Sequence, residues 1–277
     1  MARFAMGHRG FTLVELVIVI LLLGIMATFS SQFIGIGTQI YGDASSREQL
    51  MSDARFVMER LNRELRDAVP GSERIETMEG DWVDSGPCLR FWPMSASSRY
   101  LDLNLAVSGS SQLELVMATP ASAAAPLVPD ASAVRNGDRL IVFPLPDGEV
   151  GSLLSGCAYG RCVAQVTAVL TPVSGAQTVH YASTQRLDGL SPGSRVYFAR
   201  EQVRYCLEGS TITRRHSSLD GALPVSGVLM GQFLTAGRFY RESAAFNADS
   251  EFGVRLVFEH RGERVTFNHK IGGWNAP

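Results

Sequence analysis

The chain has 277 residues, and its 25 basic and 27 acidic side chains give a formal net charge of −2. This balance argues against the clustered positive face by which proteins bind nucleic acid. The length is sufficient for one good-sized domain together with a membrane anchor. The composition therefore favours an anchored globular protein without a nucleic-acid partner.

The first element in chain order is a long apolar segment that begins at Phe11. Residues 11–33 reach the length of about 20 apolar residues that a membrane-spanning helix needs. One charged residue, Glu15, lies inside the segment, and the next one along the chain is Asp43. A carboxylate at that depth costs a few kcal/mol even on lenient insertion scales, so such a group is usually paired and functional.

Two simpler explanations of this segment fit less well. A secretory signal would carry an apolar core of roughly 7–15 residues and then a small-x-small cleavage site, and the chain shows neither. A plain transmembrane anchor accounts for the length but leaves Glu15 and the Gly10-Phe11 junction unexplained. Because basic residues precede the span, we expect residues 1–10 to stay cytoplasmic and the chain beyond about residue 42 to lie across the membrane.

Residues 43–68 continue as a helix with a single apolar stripe. The stripe follows a 4-3-4-4-3 spacing that lines one helix face; it comprises Leu50, Ala54, Val57, Leu61, Leu65 and Ala68. The remaining faces are charged, with i,i+4 pairs at Arg55–Glu59, Glu59–Arg63 and Arg60–Glu64. Gly35 and Gly37 predict a bend or a locally unwound stretch, and Pro70 and Gly71 end the helix.

The remainder of the chain, residues 71–277, is predicted to be β-rich. Runs rich in Val, Ile and aromatic residues predict strands at 111–117, 139–143, 162–169 and 195–207. Tight turns are predicted at Glu208-Gly209 and, in a closing hairpin of residues 252–260 and 263–270, at Arg261-Gly262. Residues 119–133, rich in Ala, Pro and Ser, predict a linker-like loop. One face of the resulting sheet is the expected partner of the helix stripe.

Four cysteines, Cys88, Cys157, Cys162 and Cys206, all follow the apolar segment. An even number in an exported domain predicts two disulfides, with three possible connectivities. We favour Cys157–Cys162, which would close a short glycine-containing loop, together with Cys88–Cys206. A structural zinc site is less favoured, because it needs two close pairs of ligands and the chain has one.

The sequence predicts neither an enzyme nor a cofactor or metal site. The five histidines form no pair spaced to place two ligands on one helix face. His260 and His269 lie on the two arms of the closing hairpin and are expected to face each other across it. Aromatic residues that could contact a glycan are scattered, which is more typical of core and rim positions; they are Trp82, Trp92, Tyr100, Tyr159, Tyr240 and Trp274.

The N-terminal pattern, with Gly10, Phe11 and then Glu15 after a short basic leader, resembles the class III leader of type IV pilins and type II secretion pseudopilins. The resemblance implies that a prepilin peptidase cuts after Gly10 and methylates the amine of Phe11. It also implies that Glu15 neutralises the N-terminal amine of a neighbouring subunit during assembly. The expected partners are the peptidase, the inner membrane, and other major and minor pilins of the same filament.

A closer resemblance to particular subunits is carried by residues 38–41, 55–66, 88–93 and 275–277. These segments are similar to minor pilins of the mannose-sensitive haemagglutinin pilus system, and they also fit the J-type minor pseudopilins of type II secretion. We therefore expect a tip or initiation subunit of a pilus, with a secretion pseudopilin or a glycan-binding tip adhesin as alternatives. The implied location is the inner membrane, with a periplasmic head that is assembled into an extracellular pilus.

The expected fold is α+β, a type IV pilin fold whose long N-terminal helix packs on an antiparallel β-sheet head. The expected division of the chain has four parts: a leader at 1–10, a transmembrane and filament-core helix at 11–42, an amphipathic helix at 43–69, and a β-rich head at 70–277.

Overall fold

A computed structural model describes residues 11–103, 109–116, 134–142, 162–183, 187, 191–241 and 251–272. The helix α1 spans Leu13–Arg66. The strands are β1 (Arg74–Glu76), β2 (Ser85–Gly86), β3 (Cys88–Phe91), β4 (Met94–Leu103), β5 (Gly109–Val116), β6 (Arg139–Val142), β7 (Val163–Val169), β8 (Ala176–Ser183), β9 (Arg195–Ala199), β10 (Glu201–Glu208), β11 (Thr211–Ser218), β12 (Val228–Gly231), β13 (Leu234–Arg241), β14 (Glu251–His260) and β15 (Glu263–Gly272). The linker predicted at 119–133 lies outside the described residues.

Helix α1 is continuous through Gly35 and Gly37, so the predicted unwinding is wrong, and the alternative of a bend there stays a prediction. Each glycine costs about 1 kcal/mol relative to alanine, which is too little to interrupt a long cooperative helix. The hydroxyl of Thr38 donates a hydrogen bond to the Gly35 carbonyl at 2.9 Å, a contact of the type by which Thr side chains often bend helices. The helix ends at Arg66, just before the turn at Pro70 and Gly71 that was expected to stop it.

The predicted apolar stripe is buried along its whole length. Its six members are at most 4% exposed: Leu50, Ala54, Val57, Leu61, Leu65 and Ala68. They form one core with side chains of two antiparallel sheets. The first sheet has the strand order β1-β3-β10-β11-β12, and the second has the order β15-β14-β13-β2. The α+β architecture, with a long helix on antiparallel sheets, is therefore as the sequence predicted.

Both predicted tight turns are present. Strands β10 and β11 pair directly around Gly209, and strands β14 and β15 pair from His260–Glu263 outward. Arg261 and Gly262 both have positive φ, which a two-residue hairpin turn of the primed type requires.

A closed barrel is the part of the fold that the sequence did not predict. Strands β4 to β9 form it in the order β4-β5-β8-β7-β6-β9, around a core of its own. The barrel is inserted between β3 and β10, which are direct neighbours in the first sheet. The single strand predicted at 195–207 is consequently two strands, β9 in the barrel and β10 in the sheet, separated at Arg200.

A small apolar cluster joins the barrel to the segments that follow the helix and β3, and two ion pairs join it to the connections of the first sheet. Val69 and Trp92 pack there with Ile141, Val163 and Tyr197 of the barrel. The ion pairs join Arg200 to Asp138, at 3.1 Å, and Arg139 to Asp220. These contacts hold the barrel against the rest of the head.

Candidate assembly site

The helix begins in a capping arrangement built from two of its first residues. Thr12 is the N-cap, and its hydroxyl accepts a hydrogen bond from the Glu15 backbone N–H at 3.3 Å. A Thr-x-x-Glu sequence at this position is the capping-box pattern, in which the acid lies at the third helical residue. Its negative charge also suits the positive end of the helix dipole. Glu15 therefore has a local role in starting the helix.

The first half of the helix presents apolar side chains to its surroundings. Every residue from 11 to 41 is exposed, including Phe11 at 78% and Phe33 at 79%. Within the described part of the chain, α1 is the one helix that is long and apolar enough to cross a membrane. A continuous apolar surface of this extent marks contact with lipid or with other proteins.

The carboxylate of Glu15 has no basic partner among the described residues. It projects from the first turn of a helix whose next 27 residues, 16–42, carry no other charge. If this surface is covered by lipid or by other apolar helices, the carboxylate needs a cation from outside the described chain. The capping role uses the backbone N–H of Glu15, so it leaves the carboxylate available for such a partner.

The structure describes one residue of the predicted cleavage position and three of the four cysteines. Phe11 is described, whereas Gly10 lies outside the described residues. Cys88 and Cys206 form a disulfide between the neighbouring strands β3 and β10. Cys162 is also disulfide-bonded, but its favoured partner Cys157 lies outside the described residues. The bond between β3 and β10 closes the two ends of the barrel insertion.

Glu64 fastens the amphipathic half of the helix to the first sheet. Its carboxylate accepts from Arg60 on the helix at 2.7 Å, from Arg214 at 3.0 Å and from the Tyr205 hydroxyl at 3.0 Å. The Arg60–Glu64 pair is one that the sequence spacing predicted. Burial, together with the Glu64 charge, raises the pKa of Tyr205, so this hydroxyl stays a donor. The cluster fixes the rotation of the helix on the sheet.

The opposite face of the first sheet holds a second cluster around Glu76. Arg74, Arg90 and Arg204 are direct neighbours across three strands, and each pairs with this one carboxylate. Glu76 has no exposed surface, and the Arg90 and Arg204 contacts are both 3.0 Å. Burial and the two neighbouring arginines lower the pKa of Arg90, and the Glu76 charge opposes them. The cluster is a buried charge network that joins three strands of the first sheet.

The register of the closing hairpin keeps His260 and His269 apart. His260 lies opposite Glu263 and stacks on Phe233, with ring centroids 4.0 Å apart, while His269 lies opposite Val254. The expectation that the two histidines face each other is therefore wrong, because the tight turn fixes a register that separates them. Among the described residues, no group of three or more His, Cys, Asp or Glu side chains could hold a metal ion.

Two of the four described glycan-binding candidates are buried. Trp92 and Tyr100 are buried at 6% and 7% exposure, and Trp82 lies beneath Arg74 at 5.7 Å. Tyr240 lies on β13 of the second sheet, and Tyr159 and Trp274 fall outside the described residues.

Two features of the structure were not predicted from the sequence. The cap formed by Thr12 had a readable signal, since Thr-x-x-Glu directly precedes an apolar run. The Glu76 cluster had no such signal, because Arg204 lies more than 100 residues beyond Arg74 and Arg90 in the chain. Only the pairing of β1, β3 and β10 brings them together.

Comparison with known proteins gives one match. The family model of the prokaryotic N-terminal methylation motif matches residues 5–31. This match supports a type IV pilin-like protein, and the α+β architecture agrees with the type IV pilin fold. The leader motif implies processing by a prepilin peptidase and pilus-type assembly. No curated protein and no solved structure matches the chain.

Proposed function

We propose that this chain is a minor pilin of a type IV pilus of the mannose-sensitive haemagglutinin type, and a structural subunit of the tip complex that starts the filament. The observation that carries the proposal is one helix with two surfaces. Residues 11–41 are apolar and exposed, whereas the stripe from Leu50 to Ala68 is buried against the head. The inner membrane would cover the exposed half first, and helices of neighbouring subunits would cover it in the filament.

The proposed processing follows from the matched motif. A prepilin peptidase would cut between Gly10 and Phe11 on the cytoplasmic side and methylate the new amine of Phe11. The cut would leave Thr12 as the second residue of the mature protein, directly before the first helical residue. The cap formed by Thr12 and Glu15 uses no atom of the leader, so the helix start would survive the cut.

The proposed role of Glu15 is to pair with the N-terminal amine of a neighbouring subunit. The carboxylate lacks a basic partner in the described chain and lies in the first turn of the exposed apolar surface. An ammonium group from another subunit would supply the missing charge. In surroundings of low dielectric constant, such a pair is favourable only when its geometry is good, so it would select a defined stagger between subunits.

The head supports a position at the tip. The barrel formed by β4 to β9 adds a large body to the two sheets that cover the helix. A subunit along the shaft must fit between neighbours on all sides, whereas a tip subunit has neighbours on one side only. A subunit with an inserted barrel therefore fits a low-copy tip position better than the shaft.

The experiment compares Glu15→Ala with the matched variant Glu48→Ala in a host that makes the filament. Glu48 is an exposed acid on the same helix, beyond the apolar half. We expect both variants to be cleaved normally. Removing one partner of a buried ion pair costs about 3–5 kcal/mol, so Glu15→Ala should lower the number of filaments by more than about tenfold. Glu48→Ala should leave it unchanged.

Electron microscopy of filaments and immunoblots of processed protein give the two readouts. Normal filament numbers with Glu15→Ala would contradict the pairing. Deletion of the whole chain should abolish or shorten the filaments. Normal filaments with lost protein secretion would instead indicate a J-type pseudopilin, and normal filaments with lost surface attachment would indicate a tip adhesin.

A further inference from the structure

The Cys88–Cys206 disulfide is fully buried, although its side chains point away from the core beneath the helix. Both cysteines have 0% exposure and lie directly opposite each other on β3 and β10. The residues next to them, Leu89 and Tyr205, pack in the core with the helix stripe. Because neighbouring residues of a strand point to opposite faces, the cysteines lie on the outer face of the first sheet. The cover of the disulfide therefore comes from the outer side.

Met78 supplies a contact on that side. Its thioether sulfur lies 3.6 Å from the sulfur of Cys88. Met78 is itself 41% exposed, so it stands between the buried disulfide and the solvent. A thiolate reduces a disulfide by direct attack on one of the two sulfur atoms. The side chain of Met78 occupies space that a thiolate would need in order to reach Cys88.

The loop that carries Met78 is fastened by the Glu76 cluster. This loop, residues 77–81, directly follows β1. A guanidinium nitrogen of Arg204 donates to the carbonyl oxygens of Thr77 and Met78, at 2.7 and 2.9 Å. The Nε of the same guanidinium pairs with the buried carboxylate of Glu76 at 3.0 Å. Hydrogen bonds from a charged donor are among the strong ones, so they hold the loop backbone where Met78 reaches the disulfide.

We propose that the 77–81 loop is a gate that controls the access of thiols to the Cys88–Cys206 disulfide, with Met78 as the blocking side chain. Local opening of the loop admits the thiol, without unfolding of the head. An external dithiol then attacks one sulfur, the sulfur–sulfur bond breaks, and the other cysteine leaves as a thiolate. The reagent's second thiol completes the exchange, so the reagent becomes a disulfide and supplies two electrons and two protons to the cysteines.

The closed gate protects the covalent link between the two strands that flank the barrel insertion. It belongs to the head and does not depend on the proposed assembly role. Its failure would leave the Glu15 experiment unaffected, because that experiment measures filaments and not the reduction of a disulfide.

The experiment follows reduction of the full-length protein in detergent by dithiothreitol at neutral pH. Samples are alkylated at successive times, and mass spectrometry of the cysteine peptides gives the reduction rate of Cys88–Cys206. We expect Met78→Ala to raise this rate by about tenfold or more, because the attack no longer requires the loop to open. Met78→Leu keeps a side chain of similar size and should reduce at about the wild-type rate.

Two controls separate the gate from general effects. Glu79→Ala removes the neighbouring exposed side chain of the same loop and should leave the rate unchanged. Cys162 belongs to another disulfide of the head, and Met78→Ala should leave the reduction rate of that bond unchanged. Denaturant unfolding of the oxidised proteins gives the equilibrium constant for unfolding of Met78→Ala and of the wild type.

Three outcomes would overturn the gate. The first is an equal rate for Met78→Ala and the wild type. The second is a rate for Met78→Leu as high as that for Met78→Ala, which would mean that the bulk of the side chain does not block the attack. The third is an acceleration by Met78→Ala no larger than its effect on the unfolding equilibrium constant, which would mean that thiols reach the bond through unfolding of the head.

Discussion

Glu76 shows how much of the head depends on single buried charges. Its carboxylate has no exposed surface and is held by three arginines that approach from three neighbouring strands. Arg204 also donates to the carbonyls of Thr77 and Met78, at 2.7 and 2.9 Å, so the cluster ties the loop after β1 to the sheet. A neutral side chain at this position would leave three adjacent guanidiniums without their counter-charge.

We therefore expect Glu76→Gln to lower the free energy of unfolding by about 3–5 kcal/mol, the usual cost of removing one partner from a buried ionic network. Glu79→Gln is the matched control, because Glu79 is an exposed acid in the adjacent loop. Denaturant unfolding in detergent, followed by tryptophan fluorescence, measures both. Equal stabilities of the two variants would show that the arginines do not need this carboxylate.

Glu73 gives the head a predicted pH dependence. Burial raises the pKa of Glu73 to about 7, and backbone hydrogen bonds and the charge of Arg241 oppose the rise. The folded state therefore holds the proton more tightly than the unfolded state, whose pKa is near 4.5. The stabilisation of the folded state by the protonated Glu73 carboxyl is fully present below about pH 4.5. It is lost as the pH rises through about 7.

We expect Glu73→Gln to remove this dependence. The free energy of unfolding of the wild type, relative to the variant, should fall by about 3 kcal/mol between pH 4 and pH 8. Denaturant unfolding across this pH range measures the difference. A constant difference between the two proteins would mean that Glu73 keeps an ordinary pKa in the folded state.

At the scale of elements, the helix was the most predictable part of the chain. Its apolar stripe is set by local periodicity, and all six predicted positions are buried. The break at Arg200 and the barrel were not predictable, because nothing local distinguishes a strand of the barrel from a strand of the sheet. Sheet membership depends on which distant strands pair, and a β-rich run on either side of Arg200 has the same composition.

The same reasoning explains the outcome at the candidate site. Gly10, Phe11 and Glu15 form a local motif, and the family match covers that motif alone. The Glu76 cluster depends on Arg90 and Arg204, which are more than 100 positions apart in the chain and meet only through the pairing of β3 with β10. Its residues could therefore not be recognised as a group from the sequence.

The helix stripe makes a prediction about stability. Leu61 is 1% exposed in the core between helix and sheets, so Leu61→Ala should lower the free energy of unfolding by about 2–5 kcal/mol. Phe56 lies on the same helix and is 51% exposed, so Phe56→Ala should change it by less than about 1 kcal/mol. Denaturant unfolding compares them. A larger loss of stability with Phe56→Ala than with Leu61→Ala would mean that the opposite face of the helix is the buried one.

At the scale of the whole molecule, the chain combines an assembly helix with a head that has been enlarged by insertion. The barrel enters between β3 and β10, and the Cys88–Cys206 disulfide joins those two strands at the end of their pairing that lies away from the barrel. The helix and the two sheets can therefore keep one packing arrangement while the barrel presents a separate surface. This division supports an assembly role for the helix and leaves the barrel for contacts beyond the filament.

The central claim is that the chain is processed and assembled as a pilin. The most direct test is the intact mass and N-terminal sequence of this protein recovered from sheared filaments of its host. We expect a mature chain that begins with N-methylated Phe11 and lacks residues 1–10. A chain that retains the leader, or that is present in the membrane but absent from filaments, would contradict it.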